Sequence, residues 1–288
     1  MPSLRHRVAN LRFGIIAQAI RCYLLQLMCV MAALSPLGLR ADGIDLPPRS
    51  KVADLVSAEQ LERQAALQYD QMRERAASQR ALAPEGHPKL VRLQNIAKRL
   101  LPHAARYNDR ASQWRWEVSL IGSQALNAFA MPGGKIAFYT GIIERLQLSD
   151  DEIAFIMGHE IAHALREHSR ERASEQAIAG IGISIVAAVA GVGQIGQKGM
   201  EYAYQGLLGL PNSRAHETEA DRIGVELAAR AGYDPRAAIT LWQKMGQTGG
   251  NEPPKFMSTH PPRADRVKDL TNYSERVMPL YQQAKARG

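Results

Sequence analysis

The first third of the chain combines two helical patterns with a short break between them. Residues 57–80 are rich in charged side chains and predict one helix, with Ser57 placed where its hydroxyl can cap the first turn. The sequence Pro-Glu-Gly at 84–86 interrupts this pattern. Apolar side chains at helical spacing then predict a second helix over 88–101.

The pattern next changes to an alternation of polar and apolar residues, which is typical of β-strands. Strands are predicted at 114–121, 127–132 and 135–141, and a Pro-Gly-Gly turn at 132–134 joins the last two. We therefore expect a small sheet directly before the next long helix.

The rest of the chain is predicted to be mainly helical. Ser149 and Glu152 have the spacing of a capping box, which predicts a helix from about 150 to 176. A second helix is expected at about 213–231, and a third begins at the Asp-Pro sequence at 234–235. A terminal helix follows a loop rich in glycine and proline.

The helix that begins after Ser149 carries the sequence His-Glu-Ile-Ala-His. Residues four apart lie one above the other on a helix, so His159 and His163 present two imidazoles on one face, as zinc ligands do. Glu160 lies about 100° around the helix from His159. At that position its carboxylate can take a proton from water instead of binding the metal. The motif predicts zinc-dependent hydrolysis with Glu160 as the catalytic base.

A catalytic zinc site needs a third protein ligand and one position open to water. The segment 213–224 offers four candidates, which are His216, Glu217, Glu219 and Asp221. Helical spacing puts Glu217 and Asp221 on one face, so that the first could bind zinc while the second orients a ligand histidine. His216 and Glu219 point elsewhere, and we expect both to be solvated. Spacing alone does not decide among the four.

Four motifs in this order resemble the HtpX and CAAX-prenyl-protease family of zinc metallopeptidases. They are NAFAMPGGKIAFYTG, HExxH, the ExxxD inside SRAHETEADRIG, and THPP, and the similarity covers about residues 85–275. The resemblance implies an α+β, mainly α, zincin-like fold with a small sheet packed beside the HExxH helix. It also implies that Glu217 is the third zinc ligand and that Asp221 orients a ligand. Without the membrane hairpins of HtpX, the sequence is more similar to exported single-domain members of the LoiP and BepA type, and we expect it to work without the tetratricopeptide array that the latter carries.

Two further elements are candidate parts of the site. Residues 135–140 are a candidate edge strand, on which a substrate peptide could add itself by backbone hydrogen bonds; a plain core strand is the alternative. The candidate substrate residues are Asn127, Lys135, Ile136, Ala137, Phe138 and Tyr139. His260, in Ser-Thr-His-Pro-Pro, is a candidate fourth ligand or substrate contact, or else a histidine bonded in a structural turn. We expect His103 and His168 to lie on the surface.

The N-terminal segment has the pattern of a secretory signal, with a basic stretch, an apolar run and then small residues. Both cysteines, Cys22 and Cys29, lie within it, so disulfides and thiolate metal ligands are excluded from the rest of the chain. We therefore divide the chain into a signal peptide at 1–43, a linker and helix at 44–84, and a zinc metallopeptidase domain at 85–288. The expected location is the periplasm. The alternative is an uncleaved membrane anchor that leaves the protein facing the periplasm.

The net charge of +8 is concentrated in the same N-terminal segment. Residues 1–41 hold five arginines and no acidic residue, which leaves 31 basic against 28 acidic residues in the remainder. A charge balance this even gives no reason to expect a nucleic-acid partner.

The uncharged stretch 177–197 is long enough to cross a membrane. A single crossing would place His159 and Glu217 on opposite sides, although both are needed at one metal ion. We therefore expect this stretch to remain on one side of the membrane.

These features predict a metalloendopeptidase with one zinc ion per chain. From the resemblance, its substrates would be unfolded or misassembled envelope proteins handled in protein quality control, and the protein could associate with the membrane or with outer-membrane assembly machinery. The alternative function is a zinc-stabilised, chaperone-like binding module. Its site would stay closed because His260 supplies a fourth ligand.

Overall fold

The computed structural model describes residues 43–178, 212–248, 255–261 and 264–287. Gly43–Gly288 forms one compact unit. The predicted signal or anchor at 1–43 lies outside the described residues except for Gly43, and the apolar stretch 177–197 lies outside them except for its first two positions. Within the described ranges, no helix has the length and apolar character required to span a membrane. The division at residues 43 and 84 stays a prediction.

The described residues form helices and three short strands. The helices are α1 (Ala58–Ser78), α2 (Pro88–Leu100), α3 (Thr140–Arg145), α4 (Asp150–Leu165), α5 (His168–Ile178), α6 (Arg214–Arg230), α7 (Ala237–Gly246), α8 (Lys255–Thr259) and α9 (Ala264–Arg287). The strands are β1 (Glu117–Ile121), β2 (Ala128–Met131) and β3 (Lys135–Tyr139). Short 3₁₀ helices occur at Lys51–Leu55, Leu101–Arg106 and Asp109–Gln113. The predicted class, mainly α with a small sheet, is confirmed.

The three strands are ordered β1-β3-β2, with β1 parallel to β3 and β2 antiparallel to it. Of the two alternatives for residues 135–140, the edge strand is wrong and the core strand is correct, because Lys135–Tyr139 is paired on both sides. The Pro-Gly-Gly turn in the sequence showed that β2 and β3 are neighbours, but it carried no information about the side on which β1 would join.

The two outer strands differ in what covers them. The chain after α1 covers β1, because Gly122 donates its backbone N–H to Ala81 and Ala83 donates to Leu120. Among the described strands, β2 pairs only with β3. The edge strand of this sheet is therefore β2.

Helix α1 packs on one face of the sheet and is held there by a buried tyrosine. The Tyr69 hydroxyl donates to the backbone carbonyl of Ile136 at 2.8 Å and lies 2.8 Å from the Ser119 hydroxyl. This face belongs to a buried apolar cluster that also includes Met131 and Ala137. The site described below lies on the side where β2 approaches α4.

The predicted helix from 150 to 176 is broken in the structure. Helix α4 ends at Leu165, and α5 begins at His168 after a turn in which Glu167 has φ of 58°. A non-glycine residue in this region is uncommon and marks a sharp change of chain direction. The charged sequence here kept a helical pattern, so the break was not visible in it.

Candidate metal centre

Helix α4 presents the His-Glu-Ile-Ala-His motif inside the protein. The Ser149 side chain accepts from the Glu152 backbone and the Glu152 side chain accepts from the Ser149 backbone, so the predicted capping box fixes where this helix begins. His159 and His163 are both buried, with their Nε2 atoms 3.1 Å apart. Spacing on one helix is sufficient to bring these two nitrogens together.

Helix α6 brings two carboxylates to the same place. The Glu217 carboxylate has one oxygen 3.4 Å from His163 Nε2 and the other 3.7 Å from His159 Nε2. One turn later, an Asp221 oxygen lies 3.0 Å from His159 Nδ1, the ring nitrogen on the opposite side of that imidazole. Glu217 therefore faces the two Nε2 atoms, while Asp221 lies behind His159.

His260 completes this group from the segment after α8. Its Nδ1 lies 3.1 Å from His159 Nε2 and 2.9 Å from a Glu217 oxygen. Its Nε2 lies 3.2 Å from a Glu160 oxygen, although not in hydrogen-bonding geometry. His159, His163, Glu217 and His260 together form a buried group whose donor atoms all lie within 4.8 Å of one another and could hold a metal ion.

Burial and the neighbouring side chains together set the protonation of this group. Desolvation holds the pKa of His163 well below its usual range, which keeps the imidazole neutral and able to bind a metal. Desolvation also raises the pKa of Glu160, as is typical of a carboxylate that works as a base near neutral pH. Burial opposes the ionisation of Glu217, but His260 and His163 outweigh it and hold the pKa of that carboxyl well below its usual range.

Arg266 on α9 also contacts the group, although no motif or spacing in the sequence predicts it. Its guanidinium donates to both oxygens of Asp221 at 2.7 and 2.8 Å and lies 2.8 Å from a Glu217 oxygen. The same guanidinium lies over the Trp242 ring, 4.4 Å from its centroid. Arg266 therefore ties both carboxylates of α6 to the C-terminal helix. A buried arginine has no spacing signature, so only the fold reveals it.

Several histidines and one carboxylate lie elsewhere than expected. His168 and His216 are buried and their rings stack at 4.1 Å, so the prediction that they are exposed or solvated is wrong. Glu219 lies outside the metal-donor group, but it is not a free surface carboxylate, because it binds His168 and Arg166. His103 is half-buried.

A cavity of about 640 Å³ opens beside the donor group. Its wall includes β2, parts of α1, and the side chains of Glu160, His163 and His260. Of the six residues predicted to contact substrate, Asn127 and Tyr139 line this cavity, and the other four do not. Asn127 and Tyr139 face each other where β2 starts and β3 ends, and the Tyr139 N–H donates to the Asn127 carbonyl there.

The remaining four candidate residues have structural contacts instead. Ile136, Ala137 and Phe138 are fully buried in the central strand. The Lys135 ammonium donates to the Arg115 carbonyl and lies 3.2 Å from a Glu117 oxygen. Their prediction as substrate contacts rested on an edge position for β3, which the sheet order excludes.

The same region of the chain is similar to known metallopeptidases. Mitochondrial metalloendopeptidase OMA1 of Saccharomyces cerevisiae is 28% identical over 219 residues, 72% of this chain and 62% of that protein. The enzyme of the same name from Arabidopsis thaliana is 36% identical over 174 residues, 59% of this chain and 34% of that protein. A putative beta-barrel assembly-enhancing protease of Vibrio cholerae is 30% identical over 200 residues, 65% of this chain and 40% of that protein.

This chain thus spans between about a third and two thirds of the length of these relatives. A match to the Peptidase M48 family extends over residues 89–274, more than half of the chain, and includes all four residues of the donor group. The resemblance drawn from the four sequence motifs is confirmed, and the chain belongs to Peptidase family M48.

Proposed function

We propose that this chain is a zinc-dependent metalloendopeptidase, in which His159, His163 and Glu217 hold one zinc ion and Glu160 is the catalytic base. The observation that carries the proposal is the convergence of two imidazoles and a carboxylate from two helices at one buried point, with a second carboxylate beside them. Two histidines and one glutamate are a common ligand set of catalytic zinc.

The donor set fits zinc in size as well as in type. Ligands about 2.0–2.1 Å from a tetrahedral zinc ion are separated from one another by about 3.3–3.4 Å. Five of the separations among the side chains of His159, His163, Glu217 and His260 run from 2.9 to 3.7 Å, counting both Glu217 oxygens, and the four donor atoms all lie within 4.8 Å of one another. Neutral imidazole nitrogens and a carboxylate oxygen suit zinc, whereas magnesium and calcium favour sets of oxygens.

A bound zinc ion would supply Lewis acidity, which makes water more acidic and polarises the scissile carbonyl. Glu160 would accept a proton from water as the water oxygen attacks the carbonyl carbon. The same carboxylic acid would then return the proton to the amide nitrogen as the C–N bond breaks, which releases an amine and a carboxylic acid that keeps the second proton of the water. The raised pKa of Glu160 suits both halves of this exchange.

We propose that the substrate lies extended along β2 and not along β3. Ala128 and Ala130 are small, they line the cavity, and the Ala130 backbone N–H interacts with the Glu160 carboxylate. A peptide that adds to this edge by backbone hydrogen bonds would therefore pass beside the proposed base. Recognition through the backbone needs little side-chain specificity, which suits unfolded proteins.

The natural substrates proposed are unfolded or misassembled envelope proteins, and the proposed location is the periplasm. Support comes from the signal-like pattern at 1–43 and from the name of the Vibrio cholerae relative, a putative beta-barrel assembly-enhancing protease. Association with outer-membrane assembly machinery is proposed on the same ground. A reporter enzyme active only in the cytoplasm, fused after residue 200, should give no signal in cells; a signal there would contradict the proposed location.

The test of the activity is casein cleavage by the purified full chain. We expect cleavage that stops with a chelator and returns when zinc is added back. Zinc-loaded protein that leaves casein and unfolded envelope proteins uncut would contradict the proposal.

One observation favours the second function, a closed zinc-stabilised binding module. His260 Nδ1 lies within the donor group, and a metal with four protein ligands has no position for water. We propose that this arrangement is a resting state and that His260 leaves the fourth position in the active enzyme. The variant that separates the two functions is argued in the Discussion.

A further inference from the structure

A chain of buried polar side chains leads away from the donor group behind His163. His168 is 1% exposed, and its Nδ1 lies 2.8 Å from the Nδ1 of His163. On its other side, His168 Nε2 lies 2.8 Å from a Glu219 oxygen. The second oxygen of Glu219 lies 2.8 Å from the guanidinium of Arg166. His168 and Glu219 thus connect His163 to the positive charge of Arg166.

The chemistry of the groups determines the direction of these hydrogen bonds. Two ring nitrogens that face each other share one hydrogen, so one of them donates and the other accepts. A neutral His163 that binds metal through Nε2 carries its hydrogen on Nδ1. It therefore donates to His168, whose own hydrogen is then on Nε2 and is donated to Glu219. A carboxylate only accepts, so this arrangement satisfies every group in the chain.

We propose that His168 and Glu219 are positioning residues, which hold His163 in the tautomer and the ring orientation that bind metal. The inference rests on the proposed role of His163 as a zinc ligand. It gives His163 a partner at Nδ1, the ring position at which Asp221 lies 3.0 Å from His159, although only the contact of His163 has hydrogen-bonding geometry. It also gives a role to Glu219, which was expected to be solvated.

The break between α4 and α5 makes this contact available. On a continuous helix, His168 would lie five residues and about 140° around the axis from His163, and would point away from it. The turn at Glu167 redirects the chain instead, so that the two rings lie with their centroids 4.9 Å apart.

The inference is tested by zinc affinity, measured on the full chain by competition with a chromogenic chelator. We expect His168→Phe and Glu219→Ala each to weaken zinc binding about 10–100-fold. Because both residues act through one chain of bonds, the double variant should be little weaker than His168→Phe alone. Glu219→Gln retains an oxygen that can accept from His168, so it should recover most of the affinity.

The matched control is His216→Phe. His216 is buried, stacks on His168 and binds Glu171, yet the structure gives it no contact with His163. A change in packing alone would affect both histidine variants alike, whereas the proposed role affects only His168. The visible spectrum of the cobalt-substituted protein should change in His168→Phe and stay as in wild type in His216→Phe.

Melting of the metal-free proteins shows whether each variant folds. If His168→Phe does not fold, Glu219→Ala and its comparison with Glu219→Gln decide the question. Wild-type zinc affinity in a folded His168→Phe or Glu219→Ala variant would overturn the inference, as would an equal loss in His216→Phe. Casein cleavage is not used in this test, so a protein that binds zinc through this chain but cleaves nothing would contradict the proposed peptidase activity alone.

Discussion

Gly158 and Gly224 face each other where α4 crosses α6. A Cβ atom on Gly158 would lie 2.9 Å from the Gly224 carbonyl oxygen, and one on Gly224 would lie 2.8 Å from the backbone nitrogen of His159. Backbones that approach this closely leave no space for a side chain. The crossing is what brings Glu217 and Asp221 to the two histidines of α4.

Gly224→Ala should therefore damage both stability and the metal centre. The atoms that its Cβ would meet belong to the backbone of His159 and Gly158, so they cannot rotate away. We expect a loss of about 1–3 kcal/mol in the free energy of unfolding, as is usual for overpacking, together with weaker zinc binding. Denaturant titration of the metal-free protein measures the first effect and chelator competition the second.

Gly246→Ala is the control for this substitution. A Cβ at Gly246, the last residue of α7, would meet nothing within 4 Å. Its effect on stability should remain within about 0.5 kcal/mol. Equal effects of the two substitutions would show that the close crossing is not what Gly224 provides.

Glu160→Gln should retain zinc and lose activity. Glutamine has the size of glutamate but cannot take a proton from water, and Glu160 is not needed to complete a set of three ligands. We expect a fall in kcat of at least about 10²–10⁴-fold, the usual contribution of a positioned base. Zinc content after dialysis and casein cleavage are measured on the same preparation. Cleavage at the wild-type rate would contradict the mechanism.

The two carboxylates of α6 should differ in what they control. Glu217→Ala removes a donor and should leave the protein largely without zinc after dialysis. Asp221→Ala keeps all donors but frees the His159 ring, and it leaves Arg266 with Glu217 as its remaining carboxylate contact in the site. We expect a loss of about 10–100-fold in zinc affinity for Asp221→Ala, as is usual for a residue behind a ligand. If Asp221→Ala strips the zinc while Glu217→Ala keeps it, their assigned roles are exchanged.

How much of this site the sequence predicts depends on how far apart in the chain the interacting residues lie. The placement of His159 beside His163 depends on one helical turn, so four residues of spacing were enough. Helical spacing also places Glu217 and Asp221 on a common face. The family resemblance, and not the spacing, is what selected them over His216 and Glu219 as the third ligand and its orienting partner. That choice depends on how α6 crosses α4, which is a contact between segments far apart in the chain.

The features that the sequence did not predict involve either contacts between residues far apart in the chain or breaks in a regular helical pattern. Arg266 contacts Asp221 across 45 positions of the chain. His168 is near His163 in sequence, yet its role depends on the single residue of positive φ between their helices. The edge position of β2 depends on the side on which β1 joins the sheet. Local periodicity has no information about any of these.

Tyr69 should make stability depend on pH in the alkaline range. Burial raises the pKa of Tyr69 to about 12, from a usual value near 10. The folded state therefore holds this proton more tightly, so its contribution is complete below pH 10 and is lost as the pH rises from 10 towards 12. Tyr69→Phe loses the bonds to Ile136 and Ser119 and should be less stable at pH 8 by about 1–3 kcal/mol.

The difference in stability between wild type and Tyr69→Phe separates the effect of Tyr69 from that of the other groups that titrate at high pH. Denaturant titrations of both at several values from pH 8 to 12 should show the gap in stability closing as the pH passes 10. A gap that stays constant to pH 12 would mean that the hydroxyl is not protected from ionisation by the fold.

His260→Ala should increase peptidase activity while the protein keeps its zinc. His159, His163 and Glu217 remain as a set of three ligands, and removing His260 opens the fourth position to water. Every 1.4 kcal/mol by which the wild type favours the closed arrangement lowers its activity about tenfold, so the variant should gain by that factor.

Casein cleavage is compared with His103→Ala, a half-buried histidine outside both the cavity lining and the donor group. Zinc-loaded His260→Ala with reduced cleavage would show instead that His260 assists the reaction at the substrate. If wild type and His260→Ala both bind zinc but neither cleaves any protein, the closed binding module is the better account. In that case an open zinc position beside Glu160 would not be sufficient for hydrolysis.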